Sequence, residues 1–316
     1  MVNIAVLGYG TVGSGVVEVI QTNQEIVNKR AGQEVNIKYV LDLREFEGDP
    51  IQKILVHDYD TILNDKDVKV VVEVMGGVEP AHTFVKQALE NGKSVCTSNK
   101  EMVAKYGAEL IQIAEDNNVN FLYEASVGGG IPIIRPLTSS LTCDDITEVS
   151  GILNGTTNYI LTKMRDEGAA FADVLREAQE KGYAERNPEA DIEGYDACRK
   201  IAILTSLVCG QQVDYEDVHT EGITKITEKD FLYAKALKGS IKLLGTYQRM
   251  DGKAYVMVAP MIVSEKHPLY HVDGVFNAIF VHGNMLDDAM FYGRGAGKLP
   301  TASAVVSDVV DEVKHM

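Results

Sequence analysis

Close to its start the chain reads Gly8-Tyr-Gly-Thr-Val-Gly13, directly behind the apolar run Asn3-Ile-Ala-Val-Leu7 and directly ahead of Ser14-Gly-Val-Val-Glu-Val-Ile20. Few features constrain a fold more than a strand that passes through three spaced glycines into a helix. The first glycine makes the tight turn, the second lets the backbone approach a ligand, and the third lets helix and strand pack closely. The helix N-terminus then offers N–H groups and the positive end of its dipole to a pyrophosphate. Gly8, Gly10 and Gly13, with Thr11 and Val12 between them, are therefore expected to hold a dinucleotide. The alternative is a glycine-rich turn with no ligand.

The pattern of the next hundred residues favours the ligand. β-rich stretches at Val35–Leu41, Val68–Val74, Ser94–Thr97 and Asn120–Ala125 alternate with helical patterns around 80–91 and 104–115, the signature of βαβ units. The expected fold class is α/β, with a Rossmann-like, doubly wound, mostly parallel sheet over residues 1–130. After Gly128-Gly-Gly-Ile-Pro132 the alternation stops and helical stretches mix with β-like ones such as Ile146–Leu153 and Ala254–Val263. A second, α+β domain is expected over 131–290. Thr301 precedes a helical apolar period, so a closing helix within 291–316 is expected to complete the first domain.

Thirty Lys and Arg stand against 46 Asp and Glu, a net charge of −16, which repels a phosphate backbone and speaks against nucleic acid as a partner. No run approaches the roughly 18 to 20 apolar residues that span a bilayer, and Met1 leads into an apolar strand without a basic leader. The expectation is a cytoplasmic protein with no membrane partner. Cys96, Cys143, Cys198 and Cys209 form no C-x-x-C pair, and the seven histidines are scattered without metal spacing. The cysteines read as reduced, small core residues.

Four places carry polar groups that chemistry can use. Asp42 closes the second strand, where an acid accepts from a ribose 2′-OH and disfavours a 2′-phosphate, whereas Arg44 can bind that phosphate. NAD and NADP both stay open, and both residues can also be solvated loop charges. Lys100 follows Thr97-Ser-Asn99 at the carboxyl end of the fourth strand, where ligands gather in open α/β sheets. The stretch Gly182–Lys200 packs Glu185, Asp191, Glu193, Asp196 and Lys200 into a loop and the helix it enters. Asp196 and Lys200 share a helix face, beside an apolar stripe of Ala197, Ile201, Leu204 and Val208. The pair alone reads as a surface salt bridge, but the acidic loop before it lacks an apolar period and suits a polar ligand. Last, Tyr123–Pro132 runs from a strand into three glycines; its carbonyls can turn in on a small hard cation, or it can be an interdomain hinge. The residues alone favour the hinge.

Gly8–Gly13, Glu73-Val-Met-Gly-Gly77, Ser98-Asn-Lys-Glu101, Glu124-Ala-Ser-Val-Gly-Gly-Gly-Ile-Pro132, Gly151-Ile-Leu-Asn-Gly-Thr-Thr-Asn-Tyr-Ile160, Gly182–Lys200 and Gly293-Arg-Gly-Ala-Gly-Lys-Leu-Pro-Thr301 occur in the order and spacing of the homoserine dehydrogenases. The chain resembles that family over nearly its whole length. The resemblance implies an oxidoreductase that interconverts aspartate 4-semialdehyde and homoserine in threonine, methionine and isoleucine biosynthesis. It implies Lys200 as the acid/base group and Lys100 as a second essential lysine near nicotinamide and substrate. An ordinary lysine titrates near 10.4, so either would need a lowered pKa or an intervening water. Glu185, Asp191 and Asp196 would hold the substrate, with Gly155, Thr156 and Tyr183 lining its site. Gly76, Ser98, Lys100, Gly182 and Gly297 would join the glycine loop, Asp42 and Arg44 around NADP or NAD. The carbonyls of Glu124, Val127, Gly129 and Ile131 would form a sodium site, which raises the cation reading above the hinge. A homodimer through the second domain is implied as well.

The chain departs from the family in two ways. Where many relatives carry Arg-Asp after the second strand, this one has Leu41-Asp42, so Arg44 would have to take over any 2′-phosphate. Many bacterial members continue into an ACT regulatory domain, whereas this sequence stops at Met316, so threonine feedback is not expected of it. Two other enzymes compete: a Rossmann amino-acid dehydrogenase for a different substrate, and a phosphorylating semialdehyde dehydrogenase, which needs a cysteine activated by a histidine. A nicotinamide-sensing regulator would be expected to show a basic face, against which the charge argues.

Overall fold

Short, mostly apolar runs become the strands of the first half of the chain. The computed structural model describes residues 1–316. Val2–Leu7 (β1), Val35–Leu41 (β2), Leu55–Val56 (β3), Val68–Glu73 (β4), Ser94–Thr97 (β5) and Phe121–Leu122 (β6) form one sheet in the order β3-β2-β1-β4-β5-β6. Every pairing is parallel. The connections carry Thr11–Thr22 (α1), Gln24–Ala31 (α2), Tyr59–Leu63 (α3), Ala81–Glu90 (α4) and Lys100–Asp116 (α5). A parallel sheet covered on both faces needs strands that are apolar throughout. Ile4, Val6, Val70 and Val72 are accordingly sealed from solvent. Strand order reverses between β1 and β4, and beyond their carboxyl ends such a sheet leaves a crevice.

A second sheet, ordered β12-β11-β7-β9-β10-β8, is built from Ile146–Ile152 (β7), His219–Thr220 (β8), Gly239–Met250 (β9), Lys253–Ser264 (β10), Phe276–Gly283 (β11) and Asp287–Arg294 (β12). It is antiparallel except where β8 meets β10. The helices of this half are Gly155–Glu167 (α6), Phe171–Glu180 (α7), Glu189–Ile192 (α8), Tyr195–Cys209 (α9) and Glu228–Ala236 (α10). α6 and α9 pack on the sheet. Cross-strand partners share a face, so Met290, Phe280, Ser150, Thr246 and Met257 form one row. Met257, Met290 and the neighbouring Tyr255 and Tyr292 are all exposed large side chains.

The last helix, Lys298–Lys314 (α11), returns to pack on α1 and against β4 and β5. The chain thus divides into two compact units, Met1–Gly130 with Gly297–Met316, and Ile131–Ala296. No helix is long and apolar enough to cross a membrane.

The differences from the sequence reading have local causes. The closing helix begins at Lys298 rather than after Thr301, because Pro300 in the first turn replaces an N–H that has no intrahelical partner there. The expected return at residue 291 falls inside β12, whose Phe291–Arg294 pair with β11, and so moves to Gly297. Of the expected strand at 120–125 only Phe121–Leu122 pairs; Glu124–Ser126 wind into a 3₁₀ turn. The two-residue β3 is too short to announce itself.

Candidate active site

The glycine loop after β1 has the geometry its spacing predicted. Gly8 has φ +95°, a left-handed conformation that disfavours a side chain. A Cβ on Gly13 would stand 1.9 Å from the Gly8 carbonyl oxygen, so loop and α1 close on each other only because Gly13 has none. At Gly10 a Cβ would meet nothing within 4 Å, which leaves the backbone approachable. Asp42, just past β2, reaches back to this loop: its Oδ2 accepts from the Tyr9 N–H at 2.8 Å. Arg44 grips the same carboxylate through Nε at 2.9 Å and a terminal nitrogen at 2.9 Å. Those guanidinium bonds, helped by backbone donors, hold the Asp42 carboxyl well below the usual carboxylate range. His57, which sequence reading passed over, places Nδ1 2.6 Å from the Asp42 carbonyl and Nε2 3.0 Å from Glu45.

Beyond β4 and β5 the organising group is Glu73, fully buried at the end of its strand. It accepts from the Thr97 hydroxyl at 2.6 Å and the Met75 N–H at 2.8 Å. Burial pushes its carboxyl up, and these donors pull the other way. Thr97 Oγ in turn accepts from the Asn99 N–H at 2.9 Å, and Asn99 donates to the Gly77 carbonyl at 2.6 Å. This network fixes the turn at Gly76 and Gly77, the Ser98 backbone, and the start of α5. Lys100 is the first residue of α5, capped by Asn99. A cation is electrostatically disfavoured at a helix N-terminus, so its place asks for a reason other than helix stability. Neither Glu73 nor Asn99 was singled out from sequence. The available signal was one acid closing the run Val68-Lys-Val-Val-Val-Glu73.

The stretch after β6 is largely buried. Glu124, Ser126 and Val127 are buried, and the Glu124 N–H donates to Asp308 Oδ2 of α11 at 2.9 Å. Gly129, φ +57°, then turns the chain.

In the second unit the loop after β7 and the first turn of α9 converge. The Lys200 ammonium donates to Asp196 Oδ2 at 2.8 Å and to the Leu153 carbonyl at 2.7 Å. The surface salt bridge of the sequence reading is in fact buried, with Asp196 3% and Lys200 7% exposed, because α9 turns that face towards β7. Asn154 Nδ2 donates both to Asp191 Oδ1 at 2.7 Å and to Asp196 Oδ2 at 2.8 Å. Burial first, then the Asp196 charge, pushes the Asp191 carboxyl up; Asn154, Lys200 and Thr156 oppose the rise. The Thr156 hydroxyl also donates to the Tyr183 carbonyl at 2.6 Å, which ties the loop at Gly182 to the start of α6 at Gly155. Asp191, Asp196, Lys200 and Thr156 are thus brought together, with Tyr183 at their edge. Glu185 stays apart on an exposed turn. Asn154 had been read only as one letter of a motif.

Two of the four cysteines are poorly placed to act as nucleophiles. Burial pushes the Cys96 and Cys198 thiols up, and Cys143 is exposed rather than a core residue. The histidine reading needs one amendment. The β11–β12 register puts His282 opposite Asp288, so His282, Asp287 and Asp288 place ligand-type atoms within 4.8 Å of one another on an exposed hairpin.

Comparison with known proteins agrees with these two halves. Residues 8–124 match the family described as homoserine dehydrogenase, NAD binding domain, and residues 132–310 the family described as homoserine dehydrogenase. Homoserine dehydrogenase of Bacillus subtilis is 45% identical across 100% of this chain and 73% of its own length. A solved homoserine dehydrogenase from Thiobacillus denitrificans superposes with TM-score 0.95 at 42% identity, over 99% of this chain and 73% of that one. A hyperthermophilic archaeal homoserine dehydrogenase in complex with NADPH does so with TM-score 0.85 at 28% identity, over 100% and 98%.

The second and third glycines should separate fold from binding. Gly13→Ala forces a methyl into the Gly8 carbonyl and is expected to lower stability by about 1–3 kcal/mol or more in urea unfolding. Gly10→Ala should unfold within about 0.5 kcal/mol of wild type while binding a dinucleotide at least about tenfold more weakly by fluorescence titration. Equal binding by wild type and Gly10→Ala would remove the pyrophosphate from this loop.

Proposed function

This chain belongs to the homoserine dehydrogenase family, and from that premise we propose that it catalyses the NAD(P)-dependent interconversion of L-homoserine and L-aspartate 4-semialdehyde in amino-acid biosynthesis. The observation that carries the reading is the buried Lys200–Asp196–Asn154–Asp191 network, in a chain whose other unit holds a dinucleotide-type glycine loop. A hydroxylated amino acid brings an ammonium and an alcohol. Asp191 and Asp196 suit the ammonium, with Glu185 adding charge at the rim and Gly155, Thr156 and Tyr183 shaping the cleft. Lys200 stands for the proton at the alcohol oxygen. It gives that proton to the developing alkoxide when the aldehyde is reduced, and its neighbourhood takes it up when the alcohol is oxidised. The coenzyme, when bound, supplies or accepts the hydride. Lys100 serves as the second lysine at the nicotinamide end, beside Gly76 and Ser98, and Gly182 and Gly297 give backbone approach to the coenzyme.

For the coenzyme we favour NAD over NADP. Asp42 keeps its charge because Arg44 and the Tyr9 N–H hold it ionised, and a fixed carboxylate there attracts a ribose 2′-OH and repels a 2′-phosphate. Arg44 and His57 leave NADP usable. Units 1–130 with 297–316 and 131–296 take the roles of coenzyme domain and of substrate and dimerisation domain. The apolar face carrying Tyr255, Met257, Met290 and Tyr292 supports a homodimer, and four free cysteines fit a cytoplasmic setting. The turn at Glu124–Ile131 suits sodium: four backbone carbonyls, those of Glu124, Val127, Gly129 and Ile131, are hard neutral ligands of the kind such a cation takes, and the turn is buried. The ion would brace the turn.

The deciding measurement is absorbance at 340 nm with homoserine and NAD or NADP in parallel. It is made at alkaline pH, where release of a proton favours oxidation. Wild type should reduce both coenzymes, NAD faster; Lys200→Ala should lose nearly all activity, and Asp42→Ala should shift preference towards NADP. Coenzyme binding without turnover of homoserine would sink the substrate assignment. Light scattering should give about twice 34.6 kDa, and a monomer would remove the dimer. Thermal unfolding should be higher in sodium chloride than in tetramethylammonium chloride at equal ionic strength; identical curves would leave the turn without an ion.

A further inference from the structure

Asn154 sits between β7 and α6 and caps the helix: its Oδ1 accepts from the Thr157 N–H at 2.9 Å. A cap needs only that oxygen, and Ser or Asp would supply it as well. The other end of the side chain does something a cap does not need. One hydrogen of the amide goes to Asp191 Oδ1 at 2.7 Å and the other to Asp196 Oδ2 at 2.8 Å. Two carboxylates that repel each other are thereby held on the diverging arms of one neutral NH₂ group. Asp196 Oδ2 accepts at the same time from Lys200 Nζ at 2.8 Å, so the ammonium is aimed through the oxygen that Asn154 holds. No charged side chain and no hydroxyl offers two neutral donors with an acceptor on the same short stem. Glutamine does, one methylene too far out to keep the cap.

We propose that Asn154 is a positioning residue of the homoserine site, fixing Asp191 and Asp196 as a pair and, through the shared Asp196 oxygen, the direction of the Lys200 ammonium. This rests on the reading of that network as the place where substrate and proton are handled. Loss of an orienting hydrogen bond of this kind typically lowers activity by about 10- to 100-fold.

The test uses Asn154→Ser and Asn154→Asp in the full chain, since both side chains cap a helix. Both are expected to stay folded and to keep an unchanged KM for the coenzyme, with the lower thermal midpoint in Asn154→Asp. Their kcat with homoserine should fall about 10- to 100-fold and their homoserine KM should rise. The Asp variant, closest in shape, should be the more impaired because it sets a third carboxylate beside the other two. Homoserine kcat and KM within about threefold of wild type in either variant would reduce Asn154 to a cap and overturn the proposal. Collapse of both variants, with coenzyme binding lost, overturns it too, because cap and positioning would then be one function. A wild type that binds coenzyme but leaves homoserine untouched takes the functional reading down first, which sets that failure apart from this one.

Discussion

An ammonium group can be buried only in company. Taking a lysine out of water costs several kcal/mol even after relaxation, and an opposite charge with further hydrogen bonds is needed to offset it. Lys200 is buried with Asp196 and the Leu153 carbonyl, and much of the second unit serves to keep the three together. The two side chains must share one face, which an α-helix provides at a spacing of four. That helix must lie flat on the sheet, which it does at Gly245 of β9, where a Cβ would stand 3.1 Å from that of Ile201. The Leu153 carbonyl must arrive at the same point, and the pairing of β7 with β9 and β11 sets where the chain leaves the sheet.

The first unit is organised by backbone rather than by charge. Strand order changes direction between β1 and β4, so the loops beyond both strands diverge. The glycine loop fills one side of that opening through the mutual closeness of Gly8 and Gly13. Glu73 fixes the other side, tying the ends of β4 and β5 together through Thr97 and Met75. The loops beyond the carboxyl ends of β1 and β4 are therefore braced from beneath.

How much of this is legible in the sequence depends on how local the physics is. Glycines at positions 8, 10 and 13 act within a single turn, so their spacing states their geometry. The i, i+4 relation of Asp196 and Lys200 is equally local, but its burial is not. Whether an acid–base pair on a helix meets water or a sheet depends on Gly245 and Leu153, tens of residues away along the chain. Asn154 and Asn99 are hidden for a related reason: each looks like an ordinary helix cap, and only the partners of the free end of the side chain distinguish them. The order of the motif blocks pointed, through the family resemblance, to Gly155, Thr156 and Asp191 together, and the fold brings Thr156 beside Asp191.

The chain buries carboxyl groups in more than one kind of company. Glu73 and Asp308 are met by neutral donors, a hydroxyl and backbone N–H groups, which fix geometry and hold no proton that can leave at neutral pH. Glu312 in α11 is sealed in the core with neither oxygen hydrogen-bonded. Burial, with Asp308 adding to it, pushes that carboxyl well up, which favours its uncharged form in the core. In the second unit a buried carboxylate, Asp196, is paired with an ammonium. An ammonium beside a carboxylate carries a proton that it can give up, which a backbone amide does not. On the function proposed above, that buried pair is where a proton would be handled.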